Sequence, residues 1–161
     1  KMTRDYVVET GNGQRPMNGG VMKDHKGHRG GDGKLTVTES LGVSSNVGTC
    51  YMIDQVDGSN AQKFSDGVRR MSSDQPLHLQ IAGEGKPNIR GPKERSYFSK
   101  TALPWMSIGY ETQVPPINLL TFYNGIAYNG VTVRPKFVKA AVKDGEIATE
   151  YPTDVINPKI S

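Results

Sequence analysis

The chain has 161 residues, the length of about one domain, and Leu, Ile, Val and Phe together make 34 of them, roughly 21%, so the core it can build is thin. No apolar run approaches the roughly 18 residues that a membrane-spanning helix needs, and the opening Lys1-Met2-Thr3-Arg4-Asp5 does not lead into the apolar stretch of a signal peptide. The net charge of +4 comes from 20 basic and 16 acidic residues that are interspersed, and the densest basic stretch, residues 23–34, holds no aromatic side chain, which argues against a nucleic-acid surface.

Tyr6-Val-Val-Glu-Thr10 is β-prone and runs into the turn signal Gly11-Asn12-Gly13, with residues 16–22 expected to return as its ragged hairpin partner. Residues 24–33 contain four glycines among alternating His, Lys and Arg and are expected to form a solvated loop beside a site; Asp24, His25 and His28 lie in or near it. Thr36-Val-Thr-Glu39 fits the capping box and starts a helix whose apolar face is Val37, Leu41 and Val43. Gly42 and Ser44-Ser45-Asn46 are poor helix formers, so a break is expected there before Val47, Cys50, Met52 and Ile53 resume the helical pattern.

Gly58-Ser59-Asn60 offers caps for a helix with Ala61, Phe64, Val68 and Met71 on one face. Residues 83–93, with three Gly and two Pro, read as irregular loop. Pro115-Pro116 suits the first turn of a helix carrying Ile117, Leu120, Tyr123 and Ala127, and Asn129-Gly130 suits its left-handed end. Residues 131–142 are β-prone, and Asp144-Gly145 is a tight-turn pair from which residues 146–151 return. Cys50 is the only cysteine, and with three scattered histidines it defines no zinc site.

Ser44-Ser45-Asn46 is the most informative polar cluster, two hydroxyls and an amide at a helix junction; by itself the triplet reads either as a cap or as a set of donors and acceptors aimed into a cleft. Residues 33–48, Gly-Lys-Leu-Thr-Val-Thr-Glu-Ser-Leu-Gly-Val-Ser-Ser-Asn-Val-Gly, resemble the region of penicillin-binding transpeptidases that carries the second active-site motif, Ser-x-Asn. Leu103-Pro-Trp-Met-Ser-Ile-Gly-Tyr110, then residues 115–130 and Val133-Arg-Pro-Lys-Phe-Val138, look like the segments that follow in class B members, and Glu9-Thr-Gly-Asn-Gly13 looks like the hairpin before the motif. No Ser is followed three positions later by Lys, and Lys100-Thr101-Ala102 differs from the third motif, Lys-Thr-Gly, both in its alanine and in its place before the Leu-Pro-Trp segment.

The resemblance implies an α+β fold: a mostly helical subdomain of the penicillin-binding transpeptidase fold, with small β-hairpins and the main sheet built elsewhere. It implies that residues 1–161 are a partial transpeptidase domain lying between the nucleophile motif and Lys-Thr-Gly. The parent would be a serine-type D,D-transpeptidase on the outer side of the cytoplasmic membrane, anchored by an N-terminal helix outside this chain, acting on peptidoglycan stem peptides and β-lactams without metal or cofactor. In that reading Ser44 relays a proton between the lysine base, the nucleophile and the leaving amine. Asn46 hydrogen-bonds the amide of the bound stem peptide or penicillin and helps hold that lysine, and Ser45 is the motif's variable, structural position. Glu111 stands where many relatives have glycine and is expected to face solvent; Trp105 is expected to anchor a core or an interface. The chain alone is expected to be inactive and to self-associate, with Val47, Leu120 or Tyr123 lacking partners and with local disorder over 24–33. The alternatives are a non-catalytic penicillin-sensing or scaffold domain of the same superfamily, or an unrelated binding module in which Ser-Ser-Asn is only a cap.

Overall fold

The computed structural model describes residues 2–17, 20–25, 31–58, 60–72, 74–94, 97–99 and 101–157. The chain forms two compact units, one of residues 1–65 with 90–112 and the other of 66–89 with 113–161. The strands are β1 (Val7–Gly11), β2 (Gln14–Met17), β3 (Gly20–Lys23), β4 (Gly33–Thr36), β5 (Asn88–Ile89), β6 (Thr112–Gln113), β7 (Thr132–Val133), β8 (Ala140–Lys143), β9 (Glu146–Glu150) and β10 (Val155–Asn157). The helices are α1 (Val37–Gly42), α2 (Asn46–Val56), α3 (Ala61–Ser72), α4 (Ala102–Met106) and α5 (Pro116–Ala127). Among the described residues every sheet has two strands, so the fold is α+β with no large sheet.

In the first unit, β1 alternates exposed and buried positions, placing Val8 and Thr10 inward. Its partner is β4 and not residues 16–22: Val8 stands opposite Leu35 and Glu9 opposite Lys34. The hairpin is instead formed by β2 and β3, with Arg15 opposite Met22. The turn at Gly11 (φ +53) and Gly13 (φ +72) redirects the chain, and Thr10 Oγ1 donates to Gly33 O at 2.7 Å. Gly31 fits against that turn because it has no side chain; a Cβ there would lie 2.3 Å from the backbone carbon of Asn12.

The core of this unit is Met22, Val47 and Cys50, with Met17, Trp105 and Ile108 packed around them. Val47 is 1% exposed, so the expectation that it lacks partners is wrong. The hairpin lies along α2. From β2, Arg15 pairs with Asp54 at 2.7 Å and stacks over the Tyr51 ring at 5.2 Å, while Met22 of β3 enters the core. Burial, then the nearby Asp54 carboxylate, push the Cys50 thiol above its ordinary value, with Arg15 acting in the opposite direction, so this cysteine is held as a thiol and not as a reactive thiolate.

Helix α1 starts as its sequence dictates. Glu39 N–H donates to Thr36 Oγ1 at 3.1 Å, and the Thr36 N–H donates back to Glu39 Oε2 at 2.8 Å. The expected apolar face is not buried, however: Leu41 is 63% and Val43 40% exposed, while Ser40 is fully inside. α1 turns a small residue toward α2, where Gly48 leaves no room for anything larger; a Cβ on Gly48 would lie 2.8 Å from Ser40 Oγ. Thr36→Ala is expected to cost about 1 kcal/mol of stability by urea unfolding at neutral pH. The bonds from Thr36 hold the Glu39 carboxyl below the ordinary Glu value. The stability this adds is therefore complete above the unfolded-state value of about 4.3 and is lost as pH falls through the lower folded-state value; because alanine keeps the Thr36 N–H bond, the larger cause, and loses only the hydroxyl bond, the difference between wild type and variant should shrink on that acid side only by the hydroxyl's share.

Asn60 Oδ1 caps α3 by accepting from Lys63 N–H at 3.0 Å; Ser59 lies outside the described residues. Ala61 is buried, whereas Met71, at the other end of the expected apolar face, is exposed.

In the second unit, α5 begins at Pro116. Its end is left-handed at Asn129 (φ +52) and Gly130 (φ +88), with Gly130 N–H bonded to Gly125 O at 2.7 Å. Its inward face reverses the expected one. Asn118, Thr121 and Gly125 are buried, while Leu120 and Tyr123 are 52% and 60% exposed within the chain. Thr121 tolerates burial through a backbone partner, its Oγ1 donating to Ile117 O at 2.7 Å, and Asn118 donates from Nδ2 to Gln75 O at 3.5 Å, while its Oδ1 is buried without a partner among the described residues. β8 and β9 form the expected hairpin around Asp144 (φ +55) and Gly145 (φ +84), and β7 pairs with β10, not with its sequence neighbour.

Candidate functional site

Ser44-Ser45-Asn46 occupies the junction between α1 and α2, and its three residues have three different environments. Ser44 is exposed and left-handed at φ +57; its N–H bonds to Leu41 O at 3.1 Å. Its hydroxyl makes no hydrogen bond among the described residues. Ser45 is buried and is the cap of α2, its Oγ accepting from Gly48 N–H at 2.9 Å. Asn46 opens α2, half-buried, and donates from Nδ2 to Lys23 O at 2.9 Å.

The residue that organises the junction is Asp24, directly after β3. It is 7% exposed, which corrects its placement in a solvated loop. Oδ2 accepts from Ser45 Oγ at 3.0 Å, and Oδ1 accepts from Val47 N–H at 2.9 Å. The carboxylate thus takes one of the unpaired N–H groups of the first turn of α2, at the end of the helix where negative charge is favoured. Holding Ser44 left-handed costs about 1–2 kcal/mol. Two hydrogen bonds to a charged acceptor, at about 1.5–3 kcal/mol each, and the Ser45 cap, at about 1 kcal/mol, outweigh that. Lys23 and Asp24 together therefore grip residues 45, 46 and 47 and leave the Ser44 hydroxyl without a partner among the described residues, in a sparsely populated backbone conformation, a combination that clusters at functional sites.

Nothing local in the sequence marks Asp24 for this role, since the Gly-rich basic stretch after it reads as solvent-facing. His25 is exposed, and His28 lies outside the described residues. Thr101 precedes α4 and Ala102 is buried in it, so this stretch opens a helix. Trp105 is half-buried beside the core and meets Tyr110 edge to face at 5.4 Å. Glu111 is exposed, as expected, and its φ of +62 gives a physical reason for glycine at that position. A cavity of about 1020 Å³ in the same unit is lined by Arg15, Met17, Asp54, Phe98 and Leu103 among others, and not by Ser44 or Asn46. Among the described residues, no three His, Cys, Asp or Glu side chains are grouped to hold a metal ion, and no helix is long and apolar enough to cross a membrane.

The chain is 27% identical over 135 residues to penicillin-binding protein PbpB of Mycolicibacterium smegmatis, covering 83% of this chain and 20% of that protein. It is 28% identical over 117 residues to PbpB of Mycobacterium tuberculosis, covering 73% and 16%. The chain thus spans a fifth or less of the length of these curated relatives. Penicillin-binding protein 3 of Mycobacterium tuberculosis, solved in complex with aztreonam, matches with a TM-score of 0.74 at 26% identity over 99% of this chain and 34% of that one. The transpeptidase domain of penicillin-binding protein 3 from Burkholderia pseudomallei shares the fold, with a TM-score of 0.73 at 22% identity over 99% of this chain and 42% of that one. The family model described as the penicillin binding protein transpeptidase domain matches residues 1–161, and the chain belongs to that family.

Proposed function

We propose that residues 1–161 are the central part of a class B D,D-transpeptidase domain that joins peptidoglycan stem peptides through an acyl-serine intermediate, and that β-lactams enter the same path. The observation that carries the reading is Ser44: an exposed hydroxyl on a left-handed turn, with no partner among the described residues, in a chain of the penicillin binding protein transpeptidase family. Acyl transfer requires the nucleophile to lose a proton and the departing nitrogen to gain one; a hydroxyl accepts and donates in turn, so Ser44 passes that proton between the lysine base and the leaving group. Asn46 spends one of its two Nδ2 hydrogens on Lys23 O, leaving the other hydrogen and the amide oxygen for the amide of the bound stem peptide or penicillin and for the lysine base. The attacking serine and its lysine come from the rest of the protein, since this chain has no Ser-x-x-Lys. The parent works at the outer side of the cytoplasmic membrane, held there by an N-terminal helix.

Intact-mass measurement with a labelled penicillin tests this division of labour. The full-length protein is expected to gain one stoichiometric adduct on a serine outside residues 1–161, and the isolated chain none. A stoichiometric adduct on a serine of this chain would overturn the assignment.

A further inference from the structure

We infer that Asp24 is a positioning residue for acylation: its buried carboxylate holds the Ser44 hydroxyl where the proton transfer needs it. The inference rests on the reading of Ser44 and Asn46 given above and assigns the device that sets their geometry. Asp24 brackets Asn46 by bonding the residues on either side of it, Ser45 through Oγ at 3.0 Å and Val47 through its N–H at 2.9 Å. The carbonyl of Lys23, one residue earlier, takes the Asn46 amide at 2.9 Å. Two consecutive residues at the end of β3 thus bind three consecutive residues of the motif. Met22, one residue further back in the same strand, is sunk between Val47 and Cys50 and fixes the strand on α2.

Ser44 precedes this grip by one residue and has a positive φ. Its own restraint is a backbone bond to Leu41 O at 3.1 Å, and Ser45 N–H adds one to Ser40 O at 2.8 Å. Both lead back into α1, a helix of six residues. The anchor on the far side is Asp24. Without its carboxylate the first turn of α2 loses an acceptor, Ser45 loses the bond that orients its hydroxyl, and the left-handed turn is free to relax toward the right-handed conformation that an L-residue prefers. The Ser44 hydroxyl then moves while the rest of the cleft stays in place. A misplacement of about 1 Å in a reacting group can cost about 100-fold in rate.

The test is acylation kinetics of the full-length protein with a fluorescent penicillin, separating the first-order acylation step from initial binding. Asp24→Ala is expected to slow acylation about 10- to 100-fold while changing initial binding less than about threefold. Asp24→Asn, which keeps an acceptor for Val47 N–H, is expected to recover most of the rate. In a Ser44→Ala background, Asp24→Ala is expected to slow acylation by no more than about threefold, because the group it positions is already gone. A purely structural cap would lower the melting temperature and leave acylation below that temperature unchanged, or would act additively with Ser44→Ala; either result overturns the inference. If Ser44→Ala alone acylates normally, the reading of the motif fails instead, so the two failures are distinguishable. Should Asp24→Ala not fold, Ser45→Ala carries the test: it deletes the bond to Oδ2 together with the cap on Gly48 N–H and leaves Asp24 on Val47, about tenfold slower acylation is expected, and a wild-type rate in this folded variant overturns the proposal.

Discussion

Replacing Ser44 by alanine in the full-length protein is expected to slow acylation by a penicillin by roughly two to four orders of magnitude, the effect of removing one positioned proton-transfer group. Ser44 is exposed and its hydroxyl bonds no other described residue, so the substitution removes no hydrogen bond among the described residues and little packing. Stability should barely change, within about 0.5 kcal/mol. A large kinetic loss beside an unchanged unfolding curve is the signature of chemistry and not of scaffold. Asn46→Ala is expected to show a comparable kinetic loss with some destabilisation, because it also breaks the bond to Lys23 O. The kinetics can be followed by stopped-flow fluorescence; near-normal acylation in both variants would reduce the triplet to a helix cap.

Met22→Ala is expected to cost about 2–5 kcal/mol, the range for truncating a buried methionine. Met22 is 1% exposed and touches both Val47 and Cys50 of α2, with Met17, Trp105 and Ile108 around the cluster. How far Met17, Trp105 and Ile108 close over the space left behind sets where in that range the loss falls. Met22→Leu, close in volume, is expected to cost less than about 1.5 kcal/mol. Urea unfolding of the transpeptidase domain separates the two. Equal, small losses in both variants would mean that β3 is not anchored to α2 through this side chain.

What the sequence makes legible here is local chemistry. The capping box of Thr36 and Glu39, the Asn60 cap, and the left-handed pairs Asn129-Gly130 and Asp144-Gly145 each depend on residues within a few positions of one another, and each was readable. The break at Ser44-Ser45-Asn46 is of the same kind. The pairings that failed are those decided at a distance. β1 joins β4 because Gly31 can lie against the turn at 11–13, a fit that no hairpin rule contains. α1 and α5 turn small or polar residues inward, Ser40 against Gly48 and Asn118 with Thr121, where periodicity favours their apolar residues. Ser44 and Asn46 stand out in the sequence only through the family motif, while Ser45, the motif's variable position, caps α2. Asp24 was missed as an organiser because its partners, Ser45 and Val47, lie 21 and 23 residues away, and a carboxylate beside a glycine-rich basic stretch carries no signal of burial.

The most direct test is a crystal structure of the full-length protein acylated by a penicillin. Ser44 Oγ is expected within about 2.6–3.2 Å of the nitrogen released when the lactam ring opens or of the lysine base. Asn46 is expected to hydrogen-bond the amide of the acyl chain, with Asp24 still bonded to Ser45 and Val47. An acyl-enzyme in which the Ser44 hydroxyl faces bulk solvent and Asn46 makes no contact with the bound acyl group would contradict the account.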